Sequence, residues 1–194
     1  MKKYNVLRIL NDDDIELVKS ASRDLDWHTI HQFANLFHCD RAILPNTNFF
    51  PTISKKLDQY VSTERPDLKL KHASSYLLNY VPDSFTRMHC DENTYFTFIT
   101  MIDSVNLVGG ESLVQQVYEA RGRRGEHHVQ RNGSEQQHPP YGKDIIFEVV
   151  NLQDGETMVC SEQTKHGVAR VRSGSRLVLV DWYVREDYER NAGD

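Results

Sequence analysis

The hydrophobic rhythm of the chain changes once, near residue 67. Before that point apolar residues recur at helical intervals. Asn11-Asp12-Asp13-Asp14 places a capping side chain and acidic residues at a helix start, and Ile15, Val18 and Leu25 follow at roughly helical spacing. Between Trp27 and Phe37, Ile30, Phe33, Ala34 and Phe37 keep the same rhythm and predict a second helix. Asn46 to Phe50 reads as loop. Pro51 opens a third helix through Ile53, Leu57, Tyr60 and Val61, which ends before Pro66. These helices are expected to back one face of a sheet.

Beyond residue 67 the period becomes two. Leu68 to His72 alternates, and Ser75 to Val81 is a second extended run, with Tyr76, Leu78 and Tyr80 on one face and Leu77 and Asn79 on the other. Val81-Pro82-Asp83-Ser84 signals a turn, after which Phe85, Arg87, His89 and Asp91 share one parity. Tyr95 to Ile102 reads as a strand. Asp103 to Asn106 and Gly109-Gly110 bracket a turn, and Glu111 to Tyr118 returns as another strand. Further strands are expected over Asp144 to Val150, over Thr157 to Cys160 after an Asp154-Gly155 turn, and from His166. Gly174 turns into a last strand, Arg176 to Tyr183, where Arg176, Val178 and Val180 share a face with Trp182 after them. Arg170 and Arg172 point outward, and Arg185 to Asp194 is a charged tail. The pattern predicts a mainly β chain with N-terminal helices (α+β), built as a double-sheet jelly roll. It fits one domain over 1–194, with helical support at 1–66, a jelly-roll core at 67–184 and a polar loop insertion at 121–141.

Composition narrows the classes. With 39% hydrophobic and 26% charged residues in 194, the chain is an ordinary globular domain able to bury a core. A net charge of −5 argues against a general binder of nucleic acid or anionic membrane. No run approaches transmembrane length, and no signal peptide is expected. Three cysteines, Cys39, Cys90 and Cys160, are an odd number without metal-type spacing; they suggest reduced thiols and a cytoplasmic location. The insertion, with Arg121-Gly122-Arg123-Arg124 and His127-His128, is nearly free of apolar residues. It reads as a solvated hairpin extension, or as a lid or a handle for an acidic substrate. His127 and His128 are adjacent, and adjacent side chains rarely converge on one ion.

The candidate chemistry lies in Arg87-Met88-His89-Cys90-Asp91, in Lys165-His166-Gly167 and in Ser175-Arg176. On a strand, His89 and Asp91 can reach one ion while Cys90 points away. With His166 they make two imidazoles and one carboxylate, the facial set that holds Fe(II) and leaves positions open. A structural zinc site would instead close its shell with a fourth protein ligand. Arg176 opens an apolar strand and is costly if buried unpaired. A planar, permanently charged guanidinium there suits the far carboxylate of a 2-oxoacid cosubstrate; the alternative is a salt bridge to an internal Asp or Glu. His38-Cys39-Asp40 repeats the His-Cys-Asp triplet within a helical pattern, where i and i+2 do not share a face, and reads as helix-end surface.

Taken in order, Tyr80, His89-Cys90-Asp91, Thr97 to Ile102, Gly109-Gly110-Glu111, Asp154-Gly155-Glu156, His166-Gly167-Val168, Gly174-Ser175-Arg176 and Trp182 resemble the Fe(II)/2-oxoglutarate dioxygenases, in their prolyl 4-hydroxylase-like branch. The resemblance runs from about Ser75 to Val184. It implies a double-stranded β-helix fold, iron on His89, Asp91 and His166, and Arg176 paired with the 5-carboxylate of 2-oxoglutarate. Tyr80 would hydrogen-bond the same cosubstrate, with Trp182 beside it. It further implies an oxygenase that uses dioxygen to hydroxylate an aliphatic C–H of a prolyl or other amino-acid residue or of a free amino acid, in a peptide, protein or small-molecule substrate. Succinate and CO2 would be co-products, with ascorbate as a reductant. The related halogenases lack the carboxylate, so Asp91 favours hydroxylation. Val114-Gln115 stand where the family has an aromatic, and a long polar insertion follows; both bear on the substrate. The alternative is a cupin-like metal- or ligand-binding module without turnover. A nucleic-acid demethylase is a weaker option, since the second Arg pattern of that group after the distal His is not found here.

Overall fold

One large antiparallel sheet is buried on both faces, and that arrangement positions everything else. The computed structural model describes residues 4–30, 37–91, 93–119, 143–162 and 164–187. The polar insertion at 121–141 and the residues after 187 lie outside the described residues. The strands are β1 (Tyr4–Leu7), β2 (His28–Ile30), β3 (Phe37–Ile43), β4 (Leu70–Tyr80), β5 (Phe85–His89), β6 (Phe96–Gly109), β7 (Ser112–Glu119), β8 (Lys143–Val150), β9 (Thr157–Ser161), β10 (His166–Val168) and β11 (Val171–Arg185). The helices are α1 (Asp12–Ser22) and α2 (Pro51–Glu64).

The strands follow one hydrogen-bonded path, β1-β9-β6-β11-β4-β3-β5-β10-β7-β8, with β2 attached to β3. Strand β3 carries the path from one sheet to the other. Its Asp40–Ile43 half pairs with β4, while Phe37 and His38 pair with β5. The smaller sheet thereby faces the larger one. Val114 and Val168 from the smaller share a core with Leu78, Ile99, Val178 and Val180 from the larger. This is the predicted double-sheet jelly roll. The helices cover the outer face of the large sheet. Ile53, Leu57 and Val61 of α2 and Ile15 and Val18 of α1 pack on Leu77, Phe98, Ile102 and Leu179. Burial on both sides leaves every residue from Phe96 to Ile102 buried, the threonines included, rather than alternate ones. Helix α1 starts as expected: Asn11 Oδ1 accepts from the Asp14 N–H and Asp14 Oδ2 accepts from the Asn11 N–H, both at 3.0 Å. Among the described residues no helix is long and apolar enough to cross a membrane.

Several expectations are corrected. No helix fills the described ends of Trp27 to Phe37. His28–Ile30 and Phe37–Ile43 are strands paired with each other, Ile30 opposite Cys39. Both of those side chains are buried in the core between the sheets. At these ends strand pairing and burial of alternate residues outweigh the local helical spacing; residues 31–36, the middle of the expected helix, lie outside the described residues. His38 and Asp40 are therefore strand residues, not a helix end. His38 stacks on Phe85 with ring centroids 5.9 Å apart, and Asp40 accepts a hydrogen bond from Thr29. Among the described residues the N-terminal third supplies three strands as well as two helices. The two extended runs at Leu68–His72 and Ser75–Val81 are one strand, β4. Asp103 to Asn106 is not a turn, because β6 continues to Gly109 against β11. Nor does Gly174 begin a strand: it sits inside β11, and Arg185 closes that strand rather than opening a tail.

Gly174 adopts φ +75°, and a Cβ there would lie 2.2 Å from the Val105 carbonyl oxygen and 2.3 Å from that of Asn106. The left-handed backbone and the close strand approach both require glycine. Gly174→Ala should destabilise the fold by about 2 kcal/mol or more, since strain and a backbone clash add. Urea unfolding of the two proteins measures this; equal midpoints would refute it.

Candidate active site

The site begins with two histidines on neighbouring strands of the smaller sheet. His166 on β10 lies directly opposite His89 on β5, while Val168 lies opposite Thr86. Two steps along β10 thus match three along β5, which is a bulge. Thr86 and His89 consequently face the same cavity, and Arg87 is exposed. The expected shared face of Phe85, Arg87 and His89 fails for this reason. The close approach also depends on Gly167: a Cβ there would stand 2.7 Å from the Thr86 carbonyl oxygen.

Asp91 follows the end of β5 and turns back between the imidazoles. Its Oδ1 is 3.4 Å from His89 Nε2 and its Oδ2 is 3.4 Å from His166 Nε2. One ligand atom from each residue lies within 4.8 Å of the others. Each imidazole is oriented from behind: His89 Nδ1 is 2.9 Å from the Arg87 carbonyl oxygen and His166 Nδ1 is 3.0 Å from that of Thr164. A carbonyl only accepts, so both Nδ1 atoms carry hydrogen and both Nε2 atoms turn inward. Thr97 on β6 donates to Asp91 Oδ2 at 2.6 Å. Burial acts to raise the Asp91 pKa, but His89, His166 and Thr97 together hold it below the usual carboxylate range. Burial keeps His166 below its ordinary value, against the pull of Asp91. For His89 burial is outweighed by Asp91, and the net shift is upward. Two inward ring nitrogens and an ionised carboxylate at one point form a donor set that fits a divalent transition metal. Thr97→Val should weaken metal binding by about 10-fold while leaving the fold intact, as loss of an outer partner of a ligating carboxylate does. Titration with Mn(II) tests this, and an unchanged affinity would exclude the role.

The other end of the cavity is built by the large sheet. Arg176 on β11 lies opposite Tyr80 on β4. Tyr80 reaches across to the smaller sheet, its hydroxyl 2.8 Å from Thr86 Oγ1. Arg176 is only 1% exposed. Its Nη1 donates to the Gly110 carbonyl and its Nη2 donates to Ser112 Oγ at 2.8 Å. Its Nε is buried without a hydrogen-bond partner among the described residues, and its guanidinium carbon stands 5.7 Å from the Tyr80 ring centroid. Burial lowers its pKa, with Tyr80 and Glu111 acting the other way. Among the described residues no carboxylate forms an ion pair with it, so the internal salt bridge weighed for Arg176 is not found there.

One cavity touches His89, Asp91, His166, Tyr80, Thr86 and Arg176, and aliphatic side chains such as Leu78 and Val178 complete its wall. Five of the six candidate residues therefore meet. Trp182, the sixth, stands behind Tyr76, edge-to-face at 5.2 Å, with its Nε1 buried and unpartnered among the described residues. Residue-by-residue reading did not single out Thr86, whose inward orientation depends on the bulge, or Ser112, which matters only because β7 passes the guanidinium.

No protein-family model matches this sequence, and no curated protein matches it significantly. Solved structures do match its fold. A 2OG-Fe(II) oxygenase family oxidoreductase from Burkholderia pseudomallei superposes with TM-score 0.66 at 14% identity, covering 97% of this chain and 88% of that one. A Pseudomonas putida prolyl-4-hydroxylase gives TM-score 0.67 at 14% identity, with 95% and 93% covered. HygX from Streptomyces hygroscopicus, solved with nickel and 2-oxoglutarate bound, gives 0.62 at 15% identity, with 96% and 84% covered. The chain thus has the double-stranded β-helix fold of the 2-oxoglutarate and Fe(II) oxygenases, as the motif resemblance implied.

Proposed function

We propose that this chain is an Fe(II)- and 2-oxoglutarate-dependent oxygenase that hydroxylates an aliphatic C–H bond of a prolyl or other amino-acid residue or of a free amino acid. The observation that carries the proposal is Arg176. It is a fully buried guanidinium without an acidic partner among the described residues, on the same cavity as a His-Asp-His group. Burying an unpaired charge is expensive, and a bound dicarboxylate would remove that cost.

His89, Asp91 and His166 would hold the iron, and Arg176 would hold the far carboxylate of 2-oxoglutarate, with the Tyr80 hydroxyl beside it. When bound, Fe(II) and 2-oxoglutarate supply the oxidation of a C–H bond by dioxygen, with release of succinate and CO2. The protein's part is orientation and exclusion of water. The backbone carbonyls behind each Nδ1 fix the tautomer in which Nε2 presents its lone pair to a metal. Asp91 would contribute one negative charge toward a divalent ion, and the resemblance associates a carboxylate at this place with hydroxylation rather than halogenation. Leu78, Val178 and Val180 keep the space between the charged ends apolar, which strengthens each electrostatic contact. Ascorbate would serve as a reductant for iron that leaves the ferrous state. The amino-acid substrate class rests on the prolyl 4-hydroxylase-like motif order and on the prolyl-4-hydroxylase among the fold neighbours.

The test is spectroscopic. Fe(II) and 2-oxoglutarate are added without oxygen, and the visible metal-to-ligand charge-transfer band of a chelated 2-oxoacid is sought. Its appearance, followed by succinate formation on exposure to oxygen, is the expected result. Tight iron binding without a band would overturn the proposal in favour of a cupin-like binding module.

A further inference from the structure

Beyond the metal residues, the inner face of the large sheet carries polar groups that the proposed reaction does not use. Arg41 on β3 shares a parity with Cys39, which is buried in the core between the sheets. Arg41 therefore lies on the inner face, opposite Leu78 of β4. Its guanidinium carbon stands 6.0 Å from the centroid of the Tyr76 ring. Among the described residues it has no acidic partner and no hydrogen bond. On the other side of Tyr76 stands Trp182, opposite Ser74 across β11 and β4. Trp182 Nε1 and Ser74 Oγ are both buried without a partner among the described residues. Tyr76 itself lines the cavity that holds His89 and Asp91. One aromatic ring beside the metal residues is thus flanked by an acid-free cation and by two unmet polar atoms.

We infer that this face is a carboxylate-binding subsite anchored by Arg41, and that the hydroxylated substrate is a free amino acid rather than a residue inside a polypeptide. The inference rests on the oxygenase reading above and selects between the substrate forms it allows. A guanidinium offers a carboxylate two parallel N–H donors, and the indole N–H and the serine hydroxyl supply further donors on the same face. Buried donors without partners are costly and are met when an acceptor arrives. A residue within a chain has an amide in place of the carboxylate and would leave Arg41 unpaired.

The experiment uses the full chain loaded anaerobically with Fe(II) and 2-oxoglutarate. Each common free L-amino acid and its carboxamide are titrated by calorimetry, alongside an N-acetylated, C-amidated prolyl peptide. At least one free amino acid is expected to bind saturably, its carboxamide at least about 10-fold more weakly, as loss of a charge-assisted hydrogen-bonded pair on a partly buried arginine gives. Arg41→Met should bring acid and amide to the same affinity while leaving 2-oxoglutarate binding unchanged, and Arg41→Lys should restore part of the difference. Trp182→Phe keeps an aromatic side chain, removes the indole N–H and should cost about 10-fold. The inference is overturned if acid and amide bind alike in the wild type, if Arg41→Met keeps the preference, if the blocked peptide binds better than the free amino acids, or if none of them binds. Absence of the charge-transfer band would strike at the oxygenase reading instead, and the acid-over-amide preference would still decide the subsite.

Discussion

Asp91→Ala should lose tight metal binding. The carboxylate is the only anionic member of the group, and its two oxygens each face one imidazole Nε2 at 3.4 Å. Without it a divalent ion meets two neutral nitrogens and no compensating charge. The affinity for Fe(II), or for Mn(II) as a stable substitute, should fall by more than about 100-fold, beyond the roughly 10–100-fold that outer partners contribute. Asp91→Asn should fall nearly as far, since it keeps the shape and removes the charge. Competition against a chromophoric chelator measures both. Near-ultraviolet circular dichroism checks that the packed core survives. Retained tight binding in Asp91→Ala would mean that the His-Asp-His group is not the metal site.

Arg176→Met should abolish the response to 2-oxoglutarate. In the wild type, ligand at about 100 times its Kd should stabilise the protein by about 2.7 kcal/mol, which raises Tm by about 5–10 °C for a chain of this size. The Met variant should show no rise at the same concentration. Its own stability is the more informative quantity. Removing the guanidinium leaves the Gly110 carbonyl and Ser112 Oγ without their donor, at about 1–3 kcal/mol for each group left unsatisfied. It also relieves the cost of a buried charge without a counter-ion. The two effects oppose, so the ligand-free Tm should move by a few degrees at most, while the 2-oxoglutarate shift disappears. A full shift in Arg176→Met would show that the cosubstrate is held elsewhere. A collapse of the ligand-free fold would show that the guanidinium serves the packing of β7 against β11 rather than a ligand.

Much of the site was legible in residue order because its chemistry needs few residue types. A His-x-Asp followed by a distal His and a later basic residue in an apolar strand is rare enough to stand out. The motif order marked Tyr80, and the structure puts it opposite Arg176 in register. The second His-Cys-Asp shows the limit of the same argument. Helical spacing predicts that His38 and Asp40 diverge, yet they lie on a strand. They stay out of the metal group because β3 turns them toward Phe85 and Thr29, not because of a helical offset. At β5 simple alternation failed in the opposite sense. The bulge across from Gly167 turns Thr86 inward and Arg87 outward, and no period-two count contains it.

The sequence by itself determined the two helices that start at Asp12 and Pro51, the mainly extended character of the chain beyond residue 67, the inventory of metal-binding side chains and the presence of one cation too apolar in its surroundings to stand alone. Those follow from local periodicity and from side-chain chemistry, which each short stretch carries within itself. The tertiary structure decided which residues share a surface. The crossing of β3 between the sheets, the β5 bulge and the β11–β4 register bring His89, Asp91, His166, Tyr80 and Arg176 onto one cavity and set Arg41 beside Tyr76. Pairing between distant strands is selected by the burial of both faces of the large sheet at once. That condition involves the whole chain, so no single stretch of it records the outcome.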